Sequence, residues 1–198
     1  MAANILPPAM HEFRKQRPIQ LFDADLPTLI EMVEAGKIDM SLGIFKAMAD
    51  MRREPFFRFS LMVVRAAKDE MPPRRTTSWS ALDGEMLISL SSGHPHQQLI
   101  DRQLAKAGVT VQIGSIVNLL DTQIALVEAD EGIAIIPSFG MPACRNRKVV
   151  MTPLINPVVR FDFHLISSRA KELPPGAGEF TSFLKSYIAT WAGRAGVL

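Results

Sequence analysis

The stretch that most constrains the fold of this chain is Leu119 to Gly140, LLDTQIALVEADEGIAIIPSFG. Ile124, Ala125 and Val127 are spaced as on one side of a helix, and they run into Glu131-Gly132. A short unbroken apolar run, Ile133 to Ile136, follows and stops at Pro137-Ser138. Apolar residues recurring every three to four positions bury one face of a helix, whereas a brief continuous run between turn residues suits a strand covered on both faces. The segment therefore reads as helix, tight turn, buried strand and polar loop at the strand's carboxyl end. In open α/β sheets, that end is where small ligands are held.

The same alternation recurs along the chain. Ala3–Gln16 is predicted as a helix, with Pro7 and Pro8 near its start, where prolines are tolerated. Pro18–Asp23 (PIQLFD) alternates as a strand, Pro27–Ala35 is a helix closed by Gly36, and Ile38–Gly43 is a second strand. Strand, helix and strand in this order predict a right-handed parallel crossover. Lys46–Pro55 is charged and irregular, Phe56–Ala66 is a long strand, residues 71–78 (MPPRRTTS) read as a surface loop, and Trp79, Ala81 and Leu82 make one packed helical turn. Further on, the pattern gives a strand at Glu85–Leu90, a helix at His96–Ala107 closed by Gly108, a short strand at Thr110–Ile113 and a surface loop at Pro142–Arg147. Strands at Val149–Pro153 and Arg160–Ser167 precede a last helix, Glu179–Ala192. Two strands, 56–66 and 160–167, are long enough to bridge two bodies. The expected fold class is α/β, with two Rossmann-like lobes joined by a two-strand hinge and a cleft between them. Residues 1–58 and 161–198 form lobe I in this reading, and residues 59–160 form lobe II.

Several function classes are disfavoured by composition. A formal charge of +2 on 198 residues is too small to argue by itself for nucleic-acid or membrane binding. No apolar run reaches the roughly 18 residues of a membrane span. The opening MAANILPPAMHEFRKQRP lacks a basic segment followed by an apolar one, so no signal peptide is expected. Cys144 is the one cysteine and has no internal partner for a disulfide, which suits a cytoplasmic setting. There is no phosphate-loop, dinucleotide or Ser-His-Asp pattern, so neither a cofactor nor catalysis is expected. The scattered cations Arg52, Arg53, Arg58, Arg65, Lys68, Arg74 and Arg75 read as a solvated face.

The order of motifs is more informative than any one of them. An LP-helix is followed by PIQLFD, LIEMVEAGKIDMSLG, FSLMVV, W-x-x-L, LISLSSGHP, IALVEADEGIAIIPS and FHLISSR. The pair V-E-A-G-x-I-D-x-x-L-G and A-L-V-E-A-x-E-G-I-A-I-I-P is the strongest part. In this order and spacing the chain resembles the effector-binding domain of LysR-type transcriptional regulators over nearly its whole length. The resemblance implies a fold similar to type 2 periplasmic binding proteins. It also implies a small-molecule effector between the lobes and a homodimer or tetramer in which the first helix (Ile5–Phe13) and following strand (Ile19–Phe22) pack on the partner's second lobe. DNA would be reached only through a helix-turn-helix domain, which does not precede Met1 here. The family's first strand, ahead of the LP-helix, is likewise missing, and a truncated chain or a misassigned start is expected.

Ser91, Ser92, Gly93, His94, Pro95 and His96 lie between a strand's end and a helix's start. Hydroxyls and free N–H groups at such a place bind anions, helped by the helix dipole. The plainer reading is that Ser92 or His94 caps the helix, and the two roles can coexist. The resemblance implies that this turn lines the effector pocket. Asp25 and Leu26, and Gly43, Ile44 and Phe45, follow predicted strands and face the same cleft. Asp25 can contact an effector or cap the helix containing Pro27, and Phe45 can wall the pocket or pack between lobes. Pro137, Ser138 and Phe139 end the strand IAIIP. Thr122 starts the preceding helix, with Asp121 as the alternative N-cap. His94-Pro95-His96 lacks a third ligand for a metal. His164 alternates with apolar residues as a strand residue with a local hydrogen bond.

The expected function is effector sensing without chemistry, the effector being a metabolite that bears a carboxylate. A stand-alone solute-binding protein of a transport system is the first rival, and an enzyme using His94 or Cys144 is the second.

Overall fold

The computed structural model describes residues 5–13, 18–68 and 75–195. Two compact units divide the chain. The first holds residues up to Arg58 and from Phe161 through the last helix, and the second is Phe59–Arg160. The chain thus passes from one unit to the other twice, within the strand that ends at Ala66 and again at the start of the strand that opens with Arg160.

In the first unit, helices α1 (Leu6–Phe13) and α2 (Leu26–Glu34) precede a three-residue strand, β1 (Ser41–Gly43). Strand β1 pairs antiparallel with the strand at Arg160–Ser168, with Leu42 opposite Leu165. Pro18–Asp23 forms no strand, and Leu21 and Phe22 are about half exposed. The predicted parallel crossover is therefore corrected. A strand exists only when a neighbour takes its N–H and C=O groups, and none of the described residues does so for PIQLFD. The predicted ends of the first helix, at residues 3–4 and 14–16, lie outside the described residues. Strand β2 (Met51–Ala66) begins five residues earlier than its apolar run, since the charged Arg52, Arg53 and Glu54 are also extended within it. The last helix, α6 (Ala177–Ala195), packs on α1 through Phe13, whose ring centroid lies 5.2 Å from those of both Phe180 and Phe183. Val33, Phe45, Met51 and Ile166 form a second buried cluster beneath α2.

In the second unit, β2 is flanked by β6 (Ala134–Pro137) and β7 (Val149–Ile155), both antiparallel to it. Strand β3 (Thr77–Ser78) runs parallel to β7, so the end of the expected 71–78 loop is a strand; residues 71–74, Arg74 among them, lie outside the described residues. Strand β4 (Met86–Ser89) is parallel to β5 (Gln112–Ile116) and meets Ile133, ahead of β6, through Ile88 N to Ile133 O and Ile133 N to Met86 O, each at 2.8 Å. Helices α3 (Pro95–Ala107) and α4 (Leu120–Glu128) are the crossovers. Helix α3 closes at Gly108, whose φ of +64° suits glycine. Gly132, at φ +145°, brings the backbone against β4 so closely that a Cβ there would lie 2.5 Å from Met86 O. Val64, Ile88, Ile124, Val127, Ala134 and Ile136 form the core on the α4 side, and Trp79 is fully buried with its indole N–H donating to Pro157 O.

Two further expectations are corrected. Pro142–Arg147 is not a surface loop, since Met141–Cys144 is a short helix, α5, that buries Cys144 in that core. The cations are not uniformly solvated either. Arg65 is largely buried and donates to Glu85 at 2.6 Å, while Arg53 donates to Phe45 O at 2.8 Å.

Candidate functional site

The turn after β4 is built by side chains that hold backbone. Gln97, in the first turn of α3, accepts from Leu90 N at 3.0 Å and donates to Asp101 at 2.7 Å. His94 N donates to Ser91 O at 2.9 Å, and Gln98 Nε2 donates to Ser92 O at 3.3 Å. His94 is the N-cap of α3, and its Nδ1 accepts from His96 N at 3.2 Å. Pro95 takes the first helical position, where its missing N–H costs nothing. Ser91, Ser92 and Gly93 are exposed, and a Cβ on Gly93 would meet nothing within 4 Å.

Beneath this turn lies a layer of buried polar side chains. His96, only 3% exposed, contacts Ile135 O through Nε2 at 3.1 Å, a bond that the neutral ring makes as donor. Burial pushes the His96 pKa down to about 4, against the opposing pull of the Ile135 carbonyl. Burial also lowers that of His94. Both rings are then neutral at pH 7, and each commits a nitrogen to holding the helix. Gln123 Nε2 donates to Ile88 O at 3.1 Å, and Ser138 Oγ accepts from Ser60 N at 3.3 Å. Pro137 is buried opposite Leu61 in the β2–β6 ladder. Thr122 is exposed near the start of α4, whose N-cap is Leu119 rather than Asp121. Among the described residues, the hydroxyls of Ser91, Ser92 and Thr122 make no hydrogen bond.

The first unit carries the other expected residues. Asp25 caps α2, its carboxylate accepting from Thr28 N at 2.8 Å, and this bond holds its pKa below the usual range. Leu26, Gly43 and Phe45 come together, since a Cβ on Gly43 would lie 2.7 Å from Leu26 Cδ2 and 2.8 Å from the Phe45 ring. Phe45 is buried in the α2 cluster, so packing is its role within this unit. The Phe45 carbonyl is fixed by Arg53, whose Nη2 lies 3.3 Å from His164 Nδ1.

Sequence reasoning missed the supporting residues Gln97, Gln123 and Arg53. The signal for the two glutamines was present: Gln97 shares a helix face with Ile100 and Leu104, and Gln123 with Val127. A polar residue on a buried stripe needs a partner. Ser89 Oγ, at the end of β4, is buried without a hydrogen bond. Burial pushes the Cys144 thiol up to about 11, the opposite of what a nucleophile requires.

The family model described as LysR substrate binding domain matches residues 1–189. An uncharacterized HTH-type transcriptional regulator of Escherichia coli K12, YbhD, is 30% identical over 111 residues, which are 56% of this chain and 35% of that protein. The chain thus spans about a third of that relative's length. Among solved structures, a mutant OxyR of Corynebacterium glutamicum superposes with a TM-score of 0.84 at 18% identity, covering 98% of this chain and 63% of that one. The regulatory domain of CcmR from Synechocystis, in complex with 2-PG, does so with 0.79 at 12% identity, covering 91% and 89%. No helix among the described residues is long and apolar enough to cross a membrane.

Proposed function

We propose, from the premise that this chain belongs to the LysR substrate binding domain family, that it is the effector-sensing part of a transcriptional regulator and holds a carboxylate-bearing metabolite at the turn between β4 and α3. The observation that carries this reading is a division of labour. Gln97, Gln123, His94, His96 and Ser138 are spent on holding backbone, whereas the hydroxyls of Ser91, Ser92 and Thr122 remain unengaged at strand carboxyl ends and a helix N-terminus. Such a rigid frame with free donors suits an anion. The 2-PG held by the CcmR domain supports a small ligand for this fold. Asp25, Leu26, Gly43 and Phe45 lie in the first unit, where Asp25 Oδ1 is committed to its cap.

The output is a shift between conformations and not a reaction. A ligand biases such an equilibrium only by binding one state more tightly than the other. In a regulator that carries a DNA-binding region, this bias would pass to that region, in the cytoplasm. The dimer of this reading packs the first helix (Ile5–Phe13) and the segment Ile19–Phe22 on the second unit of a partner. Leu21 and Phe22 are exposed without a strand partner, and β5 is an edge carrying Ile113 and Ile116, 57% and 64% exposed. Such edges are usually covered.

Isothermal calorimetry with a panel of organic acids, amines and sugars tests the proposal. Binding of an acid that weakens in Ser92→Ala and Thr122→Ala supports it, and binding confined to cations or neutral sugars refutes it.

A further inference from the structure

At the far end of α3 from the effector turn, about 20 Å away along the helix axis, a groove of about 410 Å³ opens between the helix and the loop joining β7 to β8 (Arg160–Ser168). One wall is the helix face Gln103, Lys106 and Ala107, spaced three and four residues apart so that they share a side. The other wall is Asn156 to Arg160. That loop is pinned, since Trp79 Nε1 donates to Pro157 O at 3.0 Å and Leu61 N donates to Val159 O at 3.2 Å.

The chemistry of the lining is one-sided. Lys106 and Arg160 supply two positive charges, Gln103 and Asn156 supply amide donors, and no carboxylate lines the groove. Among the described residues neither cation makes an ion pair, although Arg58, Arg65, Lys68 and Arg147 each have one. At this end of α3, Gly108 N and Val109 N occupy the Ala105 and Leu104 carbonyls, and the Lys106 ammonium opposes the negative end of the helix dipole. Pro157 and Val158, the latter 44% exposed, add a small apolar surface beside the cations.

We infer that this groove is a second small-molecule site, separate from the effector turn, which takes a compact organic anion with its phosphate or carboxylate on Lys106 and Arg160 and its carbon part on Pro157 and Val158. Two cations with neutral donors and no opposing acid favour an anion, and the fixed loop limits the cost of ordering the site.

The test is a backbone NMR titration of this chain with inorganic phosphate and, separately, with succinate. Saturable shifts at Gln103, Lys106 and residues 156–160, weakened at least about tenfold in Lys106→Gln/Arg160→Gln, support the inference, and whichever probe saturates gives the class of anion. Both substituted side chains are exposed, and circular dichroism of the double variant confirms that it folds. Shifts centred on Ser91–His94, no saturation by either probe, or equal binding by the double variant would overturn it. The first of these outcomes would leave the effector reading standing.

Discussion

The Gln123 side-chain amide donates to the Ile88 carbonyl at 3.1 Å inside the second unit, joining the first turn of α4 to the interior of β4. Gln123 is 2% exposed and Ile88 is fully buried. Gln123→Leu keeps the volume and removes the donor, leaving a buried carbonyl one partner short. The expected cost is about 1–3 kcal/mol, read as a lower urea midpoint at unchanged m-value. A loss below about 0.5 kcal/mol would show that the bond does not hold the helix.

Gly132 and Gly93 make opposite predictions for the same change. Gly132→Ala meets Met86 O at 2.5 Å and places a side chain at φ +145°. It is expected to cost upwards of about 1–3 kcal/mol and to shift amide resonances along β4. Gly93→Ala meets open space and is expected to stay within about 0.5 kcal/mol of the parent while weakening effector binding by crowding the turn. A strongly destabilised Gly93→Ala with intact binding would contradict the placement of that turn.

His96 makes stability depend on pH. Its folded pKa, about 4, lies below the ordinary 6.5, so between these values the unfolded chain binds more protons than the folded one. Stability therefore rises with pH through this window. Falling from pH 6.5 toward 4, it should lose about 3 kcal/mol, with His94 adding in the same direction. Urea unfolding at half-unit pH steps should show a flatter profile for His96→Gln than for the parent. Identical slopes would mean that His96 is not buried neutral.

Cys144 should resist alkylation. It is buried in the α4–α5 core with its thiol pushed up to about 11, so at pH 8 little thiolate exists and little surface is open. Reaction with iodoacetamide is expected only at the rate of unfolding. Stoichiometric labelling of folded protein within minutes would place Cys144 at the surface.

The proposed dimer predicts that Phe22→Asp and Ile116→Lys, both at exposed positions, lower the sedimentation coefficient to that of a monomer without loss of helix content. A dimer that survives both substitutions would put the interface elsewhere.

Local sequence determined the elements whose signals are complete within a few residues. Helix α3 runs from Pro95 to Ala107 and stops at Gly108, α2 starts behind Asp25, and Ile133–Ile136 is a buried run, because caps, glycine turns and apolar spacing act between near neighbours. The Ser91–His96 turn was legible for the same reason. Tertiary structure alone decided the rest. PIQLFD has the alternation of a strand, yet a strand needs a second chain segment to take its hydrogen bonds, and alternation cannot supply one. Arg52, Arg53 and Glu54 are charged, yet they lie within β2, a strand that runs from Met51 to Ala66. Arg65 and Cys144 look solvent-bound or reactive by residue type, and a partner or core farther along the chain buried them, with Glu85 lying 20 residues from Arg65. Periodicity reports which way a side chain faces, but only packing determines what it finds there.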